Sequence, residues 1–201
     1  MQTNDIIVCL MGKSGSGKTA LADVLRRYHG FNVIKSFTTR TPRPGESGDE
    51  YYFVDQPPAQ PDADPEIITY AEHNGAHYWT ERSQYKGKGC SAFVVEPIGA
   101  QLLKQEVNDA LVVIIYLEVE EEERYRRMRK QGRRMGDYRI YADGKKFNYS
   151  LLPCDYIING TFQDPDDLAF SIASEMENIQ QNKEGVISRW KKAVQSVCRK
   201  F

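Results

Sequence analysis

Apolar residues in this chain follow two rhythms that alternate along its length. Ile6-Ile7-Val8-Cys9-Leu10 is an unbroken apolar run ending at a glycine-rich turn, the pattern of a parallel strand buried on both faces. From Lys18 to Tyr28 the rhythm changes: Ala20, Leu21, Val24 and Leu25 recur at helical spacing, and Gly30 stands where a C-terminal cap belongs. Phe31 to Ser36 reads as a second strand, Ser91 to Glu96 as a third and Ala110 to Leu117 as a fourth, with a helix from Gly99 to Val107 between the last two. Glu120 to Lys130 is a charged helix with acids at its start and bases toward its end, the order the helix dipole favours. Tyr156 to Asn159 is a last strand, and Pro165 to Ile179 a last helix with Leu168, Ile172 and Met176 on one face.

Strands alternating with helices predict an α/β fold of three layers, a parallel central sheet covered on both faces. Two segments break the alternation. Residues 37–85 are rich in Thr, Pro, Gly, Tyr and His, and Pro57, Pro58, Pro61 and Pro65 forbid a long helix there, so an inserted subdomain of short strands is expected. Residues 131–148 are basic and contain glycine, as a mobile lid would. The expected domain is therefore 1–180, with core segments 1–36, 86–130 and 149–180, followed by a basic amphipathic tail, 181–201. In that tail Val186, Ile187, Trp190, Val194 and Val197 are near helical spacing, a stripe suited to docking on the parent domain or on a second copy in a homodimer.

Gly12-Lys13-Ser14-Gly15-Ser16-Gly17-Lys18-Thr19 fits G-x-x-x-x-G-K-[ST] between a predicted strand and a predicted helix, the context the motif requires. The fold is thus expected to be of the P-loop NTPase kind. Gly12, Ser14, Gly15, Ser16 and Gly17 would wrap backbone N–H groups around phosphates at the helix N-terminus. Lys18 would bring its charge to the β- and γ-phosphates of ATP, and the Thr19 hydroxyl would be a ligand of Mg2+. The overlapping Gly15-Ser16-Gly17-Lys18-Thr19-Ala20 also matches G-x-G-x-x-A, but no acid lies about 20 residues on to hold a ribose, which rejects a dinucleotide site.

Charge sharpens this picture. Of 201 residues, 27 are Lys or Arg and 28 Asp or Glu, a net charge of -1 that argues against a nucleic-acid-binding surface. The balance hides segregation. Residues 24–45 hold no acid and five bases, and residues 124–134 hold seven bases. Cys9, Cys90, Cys154 and Cys198 are far apart and form no C-x-x-C pair, so idle thiols are expected rather than disulfides or a zinc site. His73 and His77 would suit a metal only on a helix, and loop histidines are the expectation. No apolar run approaches a membrane span, and a cytoplasmic location is expected.

Arg40 and Arg43 flank a rigid Thr-Pro step and can offer two guanidinium forks to one dianion such as a phosphomonoester. With its neighbours, this segment resembles the guanylate kinase family. The resemblance spans about residues 5–180 and rests on the phosphate loop, on Ser36 through Phe53 (the family's S-x-T-T-R-x-P-R-x-G-E…Y-x-F), on Asn74-Gly75-Ala76-His77-Tyr78, on Gly99-Ala100 and on Asp155-Tyr156-Ile157-Ile158-Asn159. It implies ATP-dependent phosphorylation of a nucleoside monophosphate, GMP or dGMP above others. It further implies that the subdomain at 37–85 closes over the acceptor, that Ser36, Arg40, Arg43, Tyr51 and Tyr78 hold its phosphate, and that Asn159 lies near the adenine of ATP.

Departures fall where the base is read. The family has a glutamate where this chain has Thr69. Thr80 matches a base-contacting hydroxyl, and Glu96 stands for an aspartate; Glu96 or Glu72 would be the acids able to reach the base. Trp79 replaces a glycine. In the lid, the arginine ahead of the family's glycine falls at Gln131, leaving Arg127, Arg133 or Arg134 for that role, while Arg139 matches the second lid arginine. Two other readings stay open: a kinase of another nucleotide or of a phosphorylated sugar, and a catalytically silent module that binds phosphopeptides.

Overall fold

The computed structural model describes residues 5–42, 48, 51–130, 154–161 and 163–181. Arg43, the segment 131–148 with Arg133, Arg134 and Arg139, and residues 182–201 of the tail lie outside the described residues.

Five parallel strands form the central sheet in the order β2 (Asn32–Ile34), β7 (Cys90–Val94), β1 (Ile6–Met11), β8 (Leu111–Glu118) and β9 (Tyr156–Asn159). β1 runs down the middle and all six of its residues are buried, as its unbroken apolar run requires. Its side chains alternate between two cores. Ile6, Val8 and Leu10 pack with Leu21 and Leu25 of α1 (Lys18–Tyr28) and with Leu168, Ile172 and Met176 of α4 (Pro165–Gln181). Ile7, Cys9 and Met11 pack on the opposite face with Ala100 and Leu103 of α2 (Pro97–Glu106). β8 repeats the division, with Val113, Ile115 and Leu117 on the first face and Ile114 and Tyr116 on the second. Each such buried aliphatic side chain contributes about 1.5–3 kcal/mol. The expected α/β class, with three layers and a parallel central sheet, is borne out.

One expectation is corrected. Phe31 to Ser36 does not run as one strand: Asn32–Ile34 pairs with β7, the chain breaks at Lys35, and β3 (Ser36–Thr38) joins a second sheet. The apolar pattern carries straight through that break, so periodicity alone could not place it. The second sheet has the order β4 (Tyr51–Phe53), β3, β6 (Ala76–Glu81) and β5 (Ile67–His73). β5 and β6 form a hairpin turning at Asn74 (φ 52°) and Gly75 (φ 73°), the two left-handed positions that an Asn-Gly turn supplies. His73 and His77 therefore sit on strands rather than in a loop, with Glu72 opposite His77 and His73 opposite Ala76.

A polar bolt joins the two sheets. Arg82 Nη1 donates to Asp109 Oδ1 (2.5 Å) and to the Tyr85 hydroxyl (2.8 Å), and that hydroxyl donates to Asp109 Oδ1 at 2.6 Å. Tyr85 is fully buried, so the network carries its hydroxyl's hydrogen-bonding need into the core. Among the described residues, no helix is long and apolar enough to cross a membrane.

Candidate active site

β1 delivers the chain to the C-terminal edge of the sheet, where open parallel α/β folds place their ligands. There Gly12 to Gly17 wrap a tight loop before α1 begins at Lys18. Gly12 has φ 155°, and a methyl group on it would meet Ser16 Oγ at 2.6 Å and the Leu117 carbonyl oxygen at 2.8 Å. Only a residue without a side chain fits that place. Gly17, at φ 98°, is the N-cap; no acid stands in the first turn of α1, so nothing on that turn neutralises the positive end of the helix. Lys18 Nζ folds back over the loop, donating to the carbonyl oxygens of Gly12 (2.6 Å) and Lys13 (3.2 Å) and reaching Ser16 Oγ at 3.5 Å. Thr19 is exposed beside it.

Helix α3 (Glu121–Lys130) lies against this loop. Arg127 commits its whole guanidinium: Nε donates to Glu123 Oε1 (2.7 Å), Nη1 to the Ser16 carbonyl (3.1 Å), and Nη2 to the carbonyls of Gly160 (2.8 Å) and Thr161 (3.2 Å). In this arrangement it grips backbone rather than reaching into open space. Glu123 is doubly held, by Arg126 (2.6 and 2.8 Å) and by Arg127, and these guanidiniums bring its carboxyl down to about 2. Arg124 of the same helix is not among the residues the family motifs point to. It is 4% exposed, and its Nη1 donates to the Ser14 carbonyl at 3.1 Å. Its place three residues before Arg127 on a helix was the available signal.

On the second sheet, strand register collects most of the residues expected to hold the acceptor. Ser36 pairs with Tyr51, Thr38 with Tyr78, and Thr69 with Thr80, so alternation puts Ser36, Tyr51, Thr69, Tyr78 and Thr80 on one face. The hydroxyls of Ser36 and Thr80 are 3.0 Å apart, and the rings of Tyr51 and Tyr78 meet edge-on with centroids 5.8 Å apart. The Arg40 guanidinium lies over Tyr51 (5.5 Å) and Phe53 (5.4 Å), while Nη1 donates to the Thr41 carbonyl. Glu72 is not brought to this group. It lies on the other face, opposite His77 and in step with Tyr70, whose hydroxyl is 2.5 Å from His77 Nδ1. Trp79 also faces away and stacks on Phe37, centroids 5.4 Å apart.

Glu96 is exposed two residues past the end of β7 and is the N-cap of α2, at the same sheet edge as the phosphate loop. Asn159 ends β9, and its Oδ1 accepts from the Thr161 N–H at 2.9 Å, shaping the loop whose carbonyls Arg127 holds. A crevice lined by Gly17, Leu21, Arg127, Gly160, Gln163 and Pro165 lies beside that loop; Asn159 does not line it.

A family model described as AAA domain matches residues 8–145, more than half of the chain. The chain belongs to this family. Within the AAA domain family its likeness is to guanylate kinases, as the motifs implied. It is 38% identical to the guanylate kinase of Trichodesmium erythraeum over 122 residues, covering 57% of this chain and 65% of the relative. With the human guanylate kinase it shares 44% identity over 81 residues, 37% of this chain and 40% of the relative. The chain thus spans less than two thirds of the length of these curated relatives. The crystal structure of guanylate kinase from Anaplasma phagocytophilum covers 90% of both chains at a TM-score of 0.61 and 23% identity, which shows a common fold. The AAA-domain match begins at Val8 within β1 and so takes in the whole phosphate loop.

Proposed function

We propose that this protein transfers the γ-phosphoryl group of ATP to a nucleoside monophosphate, with GMP or dGMP the favoured acceptor. The observation that carries this reading is the pairing of two surfaces: a lysine-closed phosphate loop on the central sheet and a ledge of Ser36, Tyr51, Tyr78 and Thr80 on the second. The guanylate kinase relatives support the choice of acceptor.

The residues fit Mg2+ by donor chemistry, since the exposed Thr19 hydroxyl is a hard oxygen donor at the mouth of the loop. Among the described residues no cluster of three or more His, Cys, Asp or Glu side chains gathers, so Thr19 would share the ion with the nucleotide's own phosphates. When bound, the ion neutralises charge on those phosphates. The chain's own part is positioning. The loop N–H groups and Lys18 hold the donor phosphates, and Arg40, with Arg43 from outside the described residues, holds the acceptor phosphate by charge-assisted hydrogen bonds. Lid arginines Arg133 and Arg139 would meet the group in transfer. No general base is required, because the attacking phosphate oxygen is already anionic. We place the enzyme in the cytoplasm and expect its tail to dock on the parent domain or on a second copy.

The test is release of ADP from ATP and Mg2+ with a panel of GMP, dGMP, AMP, CMP, UMP and dTMP. Turnover of GMP and dGMP far above the rest is expected. A preference for another base moves the reading to a different nucleotide kinase, and an inactive panel with unchanged ATP binding in Lys18→Ala removes it.

A further inference from the structure

Two arginines one helical turn apart on α3 take alternate carbonyls of the phosphate loop. Arg124 Nη1 donates to the Ser14 oxygen (3.1 Å) and Arg127 Nη1 to the Ser16 oxygen (3.1 Å). In a planar trans peptide, the carbonyl of one residue and the N–H of the next point in opposite directions. Fixing the Ser14 carbonyl toward α3 therefore turns the Gly15 N–H away from it, and fixing the Ser16 carbonyl does the same for the Gly17 N–H. Gly15 (φ 81°) and Gly17 (φ 98°) have no side chain to hold these peptides in one orientation, so the restraint has to come from outside the loop.

Two further observations single out Arg124. A methyl group on Gly15 would meet the Arg124 carbonyl oxygen at 2.8 Å, so the loop lies directly on the helix at this residue. The Arg124 side chain is 4% exposed, yet its Nε has no hydrogen-bond partner. A buried donor left unpaired is unfavourable, and an apolar side chain would avoid it. Besides a loose ion pair of Nη2 with Glu121 Oε2 (3.7 Å), the guanidinium supplies the bond to Ser14 and a positive charge that polarises that peptide, strengthening its N–H as a donor.

We propose that Arg124 and Arg127 are positioning residues that aim the Gly15 and Gly17 N–H groups at the phosphates of the bound nucleotide. This rests on reading the loop as a phosphate site but not on which acceptor is used. Arg127, expected to clamp the phosphoryl group, acts through the loop instead.

The experiment follows the Gly15 and Gly17 amides by 1H–15N spectroscopy of the full chain during titration with ADP and, separately, with inorganic tripolyphosphate. In the wild type both amide protons move downfield. Arg124→Met mutes the Gly15 response and leaves that of Gly17, Arg127→Met does the reverse, and each weakens both ligands by ~10-fold or more. Arg124→Lys, which keeps a charged donor, recovers most of the loss. Arg124→Gln is titrated alongside, so that failure of the Met variant to fold does not stop the comparison. Variants that bind both ligands within about twofold of wild type, or that mute the two glycines equally, overturn the proposal. ADP binding needs no acceptor, so a wild type that binds ADP but phosphorylates none of the panel loses the kinase reading while this test stands.

Discussion

The Lys18 ammonium donates to the carbonyl oxygen of Gly12 at 2.6 Å, six residues back along the same loop. With Lys13 as a second acceptor at 3.2 Å, it closes the loop around itself. With Ser16 Oγ at 3.5 Å, all three ammonium protons face the loop, so a bound phosphate would take over one of these bonds.

Lys18→Ala is expected to lower kcat by ~100-fold or more while the melting temperature stays within about 4 °C of wild type. Coupled ADP-release kinetics and a thermal melt on the same samples check both halves. A variant that keeps full activity would falsify the role given to Lys18.

Gly12→Ala tests the fit of the loop to β8. The added methyl would stand 2.8 Å from the Leu117 carbonyl oxygen, at a backbone φ of 155°. Left-handed strain and overpacking together predict a loss of ~2–4 kcal/mol in stability, read from the midpoint of urea unfolding. An unchanged midpoint would mean the loop can leave the sheet freely.

Thr80→Val removes one hydroxyl from the ledge of the second sheet. Thr80 is fully buried and stands 3.0 Å from Ser36 Oγ, so the Ser36 hydroxyl loses its partner. The expected cost is about 1 kcal/mol in stability, with a raised KM for the nucleoside monophosphate and an unchanged KM for ATP. Equal rises in both constants would place Thr80 outside the acceptor site.

Glu123 sets a pH dependence whose sign follows from its partners. Arg126 and Arg127 hold its carboxyl down at about 2 in the folded protein, against 4.5 ordinarily. A depressed carboxyl stabilises the fold above its unfolded value, and that contribution disappears as pH falls from 4.5 toward 2. Wild type should therefore be more stable than Glu123→Gln at pH 6, with the gap narrowing steadily below pH 4.5. A gap that widens on acidification contradicts the assignment.

The layers and the glycine-rich loop are legible in consecutive residues of the chain. The apolar run Ile6 to Leu10, followed by a glycine-rich turn and an amphipathic helix, reads as a strand of a parallel sheet covered on both faces, and the glycines of Gly12 to Thr19 allow the tight turn that follows it. These are short-range effects, written in consecutive residues. Whether Phe31 to Ser36 is one strand or two, and which face Glu72 takes, depended on partners up to 60 residues away. Tertiary structure alone decided the role of α3. The family resemblance points to Arg127 and not to Arg124, and only packing places Ser14 against one and Ser16 against the other. A guanidinium carries several donors, and here one Nη1 of each arginine meets a carbonyl of a loop more than 100 residues earlier in the chain.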